Sequence, residues 1–321
     1  MAGEWFRPVQ EHEANQDPLR QFAITQSINM LEAVGVEFPD GAVPSATREK
    51  TEVTLDLVKM IMDKDFIGPA QVEKATNRVI TQAELTRLLE PLSIEMLARG
   101  KELGAFLTLR TGKAGDGSPL TAKWMQQKLE PGLKEDGKGR ILYDTDWYGK
   151  ENFFTKETPG YDLALAFTTK NVIDGSTGLN YLEQTQLLAD FFKEAVFRGQ
   201  KLPDVYQQAI DEFESKMGKL QQLLKDGNKW QQAAMKLSKL AINQLARRNF
   251  PEGIYDLALY TQSTGTWLLS NRWDWLNSRT ADGFLVHFGR SAAAGASVYR
   301  WRPDRSSSSL GVCASWIVSK I

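Results

Sequence analysis

The chain holds one cysteine, Cys313, and two histidines, His12 and His287, among 321 residues. One thiol cannot close an internal disulfide, so nothing staples this fold for an oxidising compartment. Three scattered Cys and His residues are too few for a Cys/His metal site, and neither a metal nor any other cofactor is expected. No run approaches the ~18–20 apolar residues of a membrane-crossing helix, so no membrane insertion is expected. The segment Met1–Asp17 lacks a basic stretch followed by an apolar one, so no secretory signal is expected. Synthesis in the cytoplasm follows; the final location, cytoplasm or the surface of a virion or cell, is left open. Excess charge is missing too: 39 Lys and Arg face 40 Asp and Glu, a net −1. That removes the electrostatic footprint of a nucleic-acid binder, and no nucleic-acid partner is expected.

What is present is ordinary globular composition, 42% hydrophobic and 25% charged, enough for a sizeable core. The length allows two domains. Residues 1–100 read as a helical region. Asp17-Pro18 opens a helix that Gly35 stops, Phe38–Pro44 is a connector, and Ser45 is positioned to cap the next helix, which carries Val53, Leu57, Val58 and Ile61. Thr81-Gln82-Ala83-Glu84 is a capping box ahead of Leu85, Leu88 and Leu89. After residue 100, β-prone runs appear at Ala105–Leu109, Arg140–Tyr143 and Leu163–Thr168, then a helix at Tyr181–Phe197. The charged stretch Pro203–Arg248, broken at Asp226-Gly227-Asn228, reads as a helical hairpin with solvated charged faces. A short helix is expected over Glu252–Gln262.

The last 61 residues differ from the rest. They contain no glutamate, seven basic side chains (six of them arginine) and three aspartates, a net +4; the other 260 residues carry −5. Five of the nine tryptophans lie here: Trp267, Trp273, Trp275, Trp301 and Trp316. Alternating runs at Phe284–Phe288, Ser297–Trp301 and Leu310–Ser315 predict short strands. Tryptophan pins cores, whereas Arg, Ser, Tyr and Asp at strand ends make adaptable contact surfaces.

Within this tail, Trp267-Leu268-Leu269, Arg272-Trp273, Ser278-Arg279, Asp282-Gly283-Phe284-Leu285-Val286, Gly289, Gly295, Val298, Trp301-Arg302-Pro303 and Leu310-Gly311-Val312 form a pattern. It resembles the C-terminal part of diversity-generating retroelement variable proteins. Phe153–Glu157, Asn180–Thr185 and Ile254–Asp256 extend the resemblance over roughly 140–321. The resemblance implies an α+β fold with a C-type lectin-like domain of the formylglycine-generating-enzyme kind, spanning about 101–321. The hairpin at 203–248 would then be an insertion or packing arm. It also implies a variable region at about 267–316, rewritten by adenine-directed reverse transcription.

Rewriting the first two bases of an AAC codon cannot produce Lys, Glu, Gln, Met or Trp. The positions between scaffold residues all obey that filter: His287, Phe288, Arg290, Ser291, Ser297, Tyr299, Arg300, Arg302, Asp304, Arg305, Ser307, Ser308, Ser309, Cys313 and Ala314. These are the candidate ligand contacts. His287 is expected on the outward face of its strand, since it alternates with apolar neighbours.

Enzyme chemistry finds little support. Paired carboxylates for Ca²⁺-mediated sugar binding are missing around Arg272-Trp273-Asp274-Trp275. Cys313 has no second thiol for copper–thiol oxidation. No Ser or acid stands at triad spacing from His287, and Gly112, Gly115 and Gly117 make no phosphate loop. The expected function is non-enzymatic: a diversified display protein whose exposed C-terminal residues bind a macromolecule, most simply a protein. A fixed-specificity adhesin or virion receptor-binding protein on the same fold is the alternative, followed by an oxidase of the formylglycine-generating type. The oligomeric state is not legible.

Overall fold

The computed structural model describes residues 53–320. The expected helix from Asp17 to Gly35, the connector at 38–44 and the Ser45 cap lie outside that range.

The first described helix, α1 (Leu55–Met62), starts because Thr54 Oγ1 accepts the Leu57 N–H. A 3-10 turn leads into β1 (Phe66–Ile67), then α2 (Pro69–Thr76). Helix α3 (Gln82–Leu89) opens on the reciprocal Thr81–Glu84 box, as expected from spacing alone. Ser93 caps α4 (Ile94–Glu102), which feeds β2 (Ala105–Thr111). Thr121 caps α5 (Ala122–Glu135), a helix that sequence patterning missed. A short α6 (Asn152–Thr155) precedes β3 (Leu163–Thr169). Helix α7 (Tyr181–Phe191) runs on into a π turn, Phe192–Val196. The expected hairpin is three helices: α8 (Asp204–Lys225), α9 (Trp230–Ser238) and α10 (Ala241–Ala246). Asn249 and Glu252 box the start of α11 (Phe250–Thr264), with Pro251 in its first turn. Strands β4 (Trp273–Arg279), β5 (Leu285–Gly289), β6 (Ser297–Trp301), β7 (Leu310–Gly311) and β8 (Ser315–Lys320) complete the chain. The run at Arg140–Tyr143 forms no strand, only a bridge from Leu142 to Ala296.

The architecture is mixed α+β with two four-stranded sheets. The first has order β1-β2-β3-β8 and the second β6-β5-β4-β7. In the first, β2 and β3 pair antiparallel from Ala105↔Thr169 to Thr111↔Leu163. Every residue of both strands is buried, because helices cover both faces. One apolar cluster joins α1, α4, α7, α8 and α10 to Leu107, Phe167, Trp275 and Trp316. The other joins α5 and α11 to Phe106, Leu109, Tyr148, Phe153, Leu276 and Phe288. The boundary expected near residue 100 coincides with no break in packing, since β1 lies in the first sheet and α1 in its core.

The run Leu310–Ser315 is not one strand. Its first two residues pair with β4 in the second sheet, and Ser315 begins β8 in the first. Gly311 permits the crossing: a Cβ there would lie 2.5 Å from Ser176 Oγ and 2.7 Å from Val172 Cβ. A buried ionic network ties the sheets at the same place. Asp256 of α11 accepts from Arg110 Nε at 2.9 Å and from Arg248 Nη1 at 3.1 Å. Arg248 Nη2 donates to Asp274 of β4 at 2.7 Å, and Asp274 also accepts the Cys313 N–H at 2.8 Å. Arg247, also buried, donates to the Trp275 carbonyl at 2.8 Å and lies 3.9 Å from the Tyr181 ring centroid. The expectation that the charges before residue 249 are all solvated therefore fails at Arg247 and Arg248.

Candidate ligand-binding face

Sheet two carries the candidate residues, and its two faces differ. Pairing places His287 opposite Tyr299 and Trp275, with Trp273 and Trp301 one step away on the same face. The result is an aromatic cluster. The His287 ring lies 5.3 Å from Trp273, 5.3 Å from Trp301 and 6.3 Å from Tyr299. Tyr299 is exposed, Trp273 and Trp301 are half-buried, and Trp275 is fully buried against Tyr181. Exposure thus increases from the centre of the sheet to its edge strand β6.

The other face of β6 carries Arg300. Its guanidinium lies 5.1 Å from the ring centroids of both Trp147 and Phe284 and donates to Asp282 at 2.7 Å. Arg302 forms a two-pronged pair with Asp304, both bonds 3.0 Å, and stacks 5.6 Å from Trp230 at the start of α9. Trp230 in turn lies 4.4 Å from Phe284. The helical hairpin therefore supplies one wall of this edge. A concavity of about 460 Å³ lined by Phe284, Trp301, Arg302, Arg305 and Ser306 connects the arginines to the aromatic cluster. Past it, Ser307 and Ser309 hydrogen-bond each other at 3.2 Å, and the Ser309 carbonyl accepts the Trp273 N–H. At the far end of β5, Arg290 reaches over Trp273, 5.8 Å from its centroid. Arg272, Arg290 and Arg305 have no carboxylate partner among the described residues, so the face is net positive.

The candidate positions divide by burial. Arg290, Tyr299, Arg305 and Ser308 are exposed; Ser297 and Arg300 on edge strand β6 are half-buried, as are Arg302, Asp304, Ser307 and Ser309 in the loop that runs from β6 to β7 at the opposite edge. His287, Phe288, Ser291, Cys313 and Ala314 are corrections: each is at most 4% exposed. Alternation failed for β5 because both its faces are covered. Phe288 packs on α11, where a Cβ on Gly253 would come within 2.8 Å of its ring. His287 sits under the tryptophans, its Nδ1 without a partner, and burial pushes its pKa down to about 3. Cys313 lies where the chain crosses between sheets, its thiol driven above the ordinary range by burial and then by Asp274. It is neither a contact nor a ready nucleophile.

Trp147, Trp230 and Phe284 were missed as site residues. Trp147 and Trp230 lie far from the tail in sequence, and only the fold brings them to it. Comparison with protein-family models, with curated proteins and with solved structures finds no match. Among the described residues no Cys/His/Asp/Glu group is arranged to hold a metal ion, and no helix is long and apolar enough to cross a membrane.

Proposed function

We propose that the chain is a binding protein that presents the outer edge of its second sheet to a macromolecule, and that its C-terminal region is the target of a diversity-generating retroelement on a C-type lectin-like frame. One observation carries this reading. Ten residues compatible with adenine-directed rewriting, from Arg290 to Ser309, are accessible on edge strand β6, in the loop that leads from it to β7 at the opposite edge and just past β5, while the intervening Val298 and the adjoining Leu310 are buried. Replaceable tips on a packed frame let contact chemistry change at small cost in stability: surface substitutions shift it by about 0.5 kcal/mol, core truncations by about 2–5. Arg300 and Arg302 are stacked and paired before any ligand arrives, which lowers the ordering cost of binding. The reading requires an adenine-rich near-copy of the gene's 3′ end beside a reverse transcriptase gene. If the locus lacks both, diversification is wrong and a fixed-specificity binder on the same face is the reading that survives. Randomising Arg290, Tyr299, Arg305 and Ser308 together should leave the chain folded; loss of folding would remove the display reading as well.

A further inference from the structure

A second concavity shares no lining residue with that face. The loop after α6, the junction of α9 with α10 and the end of β4 form an open concavity of about 770 Å³. Lys156, Lys239 and Arg279 line it. None of the three has an ion-pair or hydrogen-bond partner for its side chain among the described residues, although Arg279 is half-buried. That sets Arg279 apart from Arg110, Arg248, Arg300 and Arg302, all of which hold carboxylates. The one carboxyl in the lining, Glu157, is turned into the protein, where it accepts from Ser278 Oγ. Ser278 Oγ accepts the Phe250 N–H at 2.8 Å in turn. Burial raises the Glu157 pKa to about 7 and the nearby Glu252 adds to the rise, against the hydrogen bonds from Ser278 and the Phe250 backbone. Glu252 itself accepts from the Tyr161 hydroxyl at 2.8 Å. The cavity therefore carries about three positive charges when Glu157 is protonated and about two when it is not.

Lys239 is shared with an adjoining concavity of about 330 Å³ lined also by Lys216, Lys219, Lys236 and Glu212. Of these, Lys216 is paired, to Glu212. Positive charge is thus in local excess in a chain whose net charge is −1, and a cleft with an excess of one sign of charge concentrates counter-ions.

We propose that the cavity is a binding site for a small multivalent oxyanion, a molecule carrying two or more phosphate or carboxylate groups. The planar fork of Arg279 suits one oxyanion group edge-on, and the two ammonium groups take the others as point charges. The volume falls in the range that encloses ligands of sugar-phosphate or nucleotide size. The test is calorimetric titration of the full chain with sodium pyrophosphate and, separately, sodium citrate, at low ionic strength and pH 6.5. Saturable one-to-one binding of at least one anion is expected. Pyrophosphate alone would assign the phosphate class, citrate alone the carboxylate class, and both the shared chemistry. Lys156→Gln with Lys239→Gln should weaken binding at least tenfold at unchanged melting temperature, since both side chains are exposed. Lys123→Gln with Lys128→Gln on α5 removes the same charge outside the cavity and should leave binding unchanged. The proposal is overturned if neither anion binds saturably, or if the α5 pair weakens binding as much as the cavity pair.

Discussion

Asp256→Asn is the sharpest probe of what holds the two sheets together. The Asp256 carboxylate serves two buried guanidinium groups, with bonds of 2.9 and 2.5 Å from Arg110 and 3.1 Å from Arg248. Asp274 takes the other prong of Arg248 at 2.7 Å, so two cations and two anions balance in a place closed to water. Thr168 and Ser315 add hydroxyl partners to Arg110 at 2.7 and 3.1 Å. The amide keeps the size of the side chain but removes one charge, leaving an uncompensated buried cation. Breaking one side of such a pair costs about 3–5 kcal/mol. A domain of this size holds about 5–15 kcal/mol in total, and each kcal/mol moves Tm by roughly 2–4 °C. A fall of roughly 10 °C is therefore expected by circular dichroism, with a matching loss in urea unfolding at pH 7. Arg110→Met with Asp256→Leu restores neutrality, leaving Arg248 paired with Asp274, and should be less destabilised than Asp256→Asn alone. A loss under about 2 °C for Asp256→Asn, or a double variant worse than the single one, would refute the charge-balance argument.

Four further outcomes are expected. Tyr299→Ala and Arg305→Ala should each change unfolding free energy by no more than about 0.5 kcal/mol, whereas Trp275→Ala, fully buried against Tyr181, should cost about 3–5; comparable losses would mean that inside and outside are misassigned. Gly311→Ala should cost about 1–3 kcal/mol, since the new methyl would meet Ser176 and Val172, and wild-type stability would show that the crossing is not tight. Below pH 4.5 both chain states keep Glu157 protonated; between there and its folded value of about 7 only the unfolded chain releases the proton, so stability falls by up to about 3 kcal/mol as pH rises and Glu157→Gln should abolish that slope. His287 contributes the opposite slope: its folded pKa is about 3, so its contribution is present above pH 6.5 and lost as pH falls, and His287→Phe minus wild type should isolate it.

Local signals in the sequence were strong where the physics is local. Thr81 with Glu84, Pro251 at a helix start, and the strand Ser297–Trp301 all follow from capping, fixed φ and alternation. The α+β class, implied by the resemblance, matches the mixed architecture of two small sheets among helices. What could not be read depends on partners distant in the chain. Arg247 and Arg248 look like surface charges until Asp256, Asp274 and the Trp275 carbonyl are brought to them. Leu310–Ser315 alternates like one strand, yet it divides between two sheets because a glycine lets it pass Ser176. His287 alternates like an outward residue because alternation reports only that two faces differ; here one face meets α11 and the other is roofed by tryptophans.

That roof alters how variation at the face would act. Arg290, Tyr299, Arg305 and Ser308 end in solvent, so a change there alters what a ligand meets and little else. His287 ends beneath Trp273, Tyr299 and Trp301, touching rings that themselves reach the surface. A smaller residue there would leave those rings unsupported, because packed side chains relax only partly into a void. The face then has two levels: tips that set contact chemistry one residue at a time, and a buried support whose replacement shifts several tips together. His287→Ala should therefore change ligand binding through Tyr299 and Trp301 while also lowering stability. Tyr299→Ala should change binding alone, and the two effects should not add, because they act on the same rings.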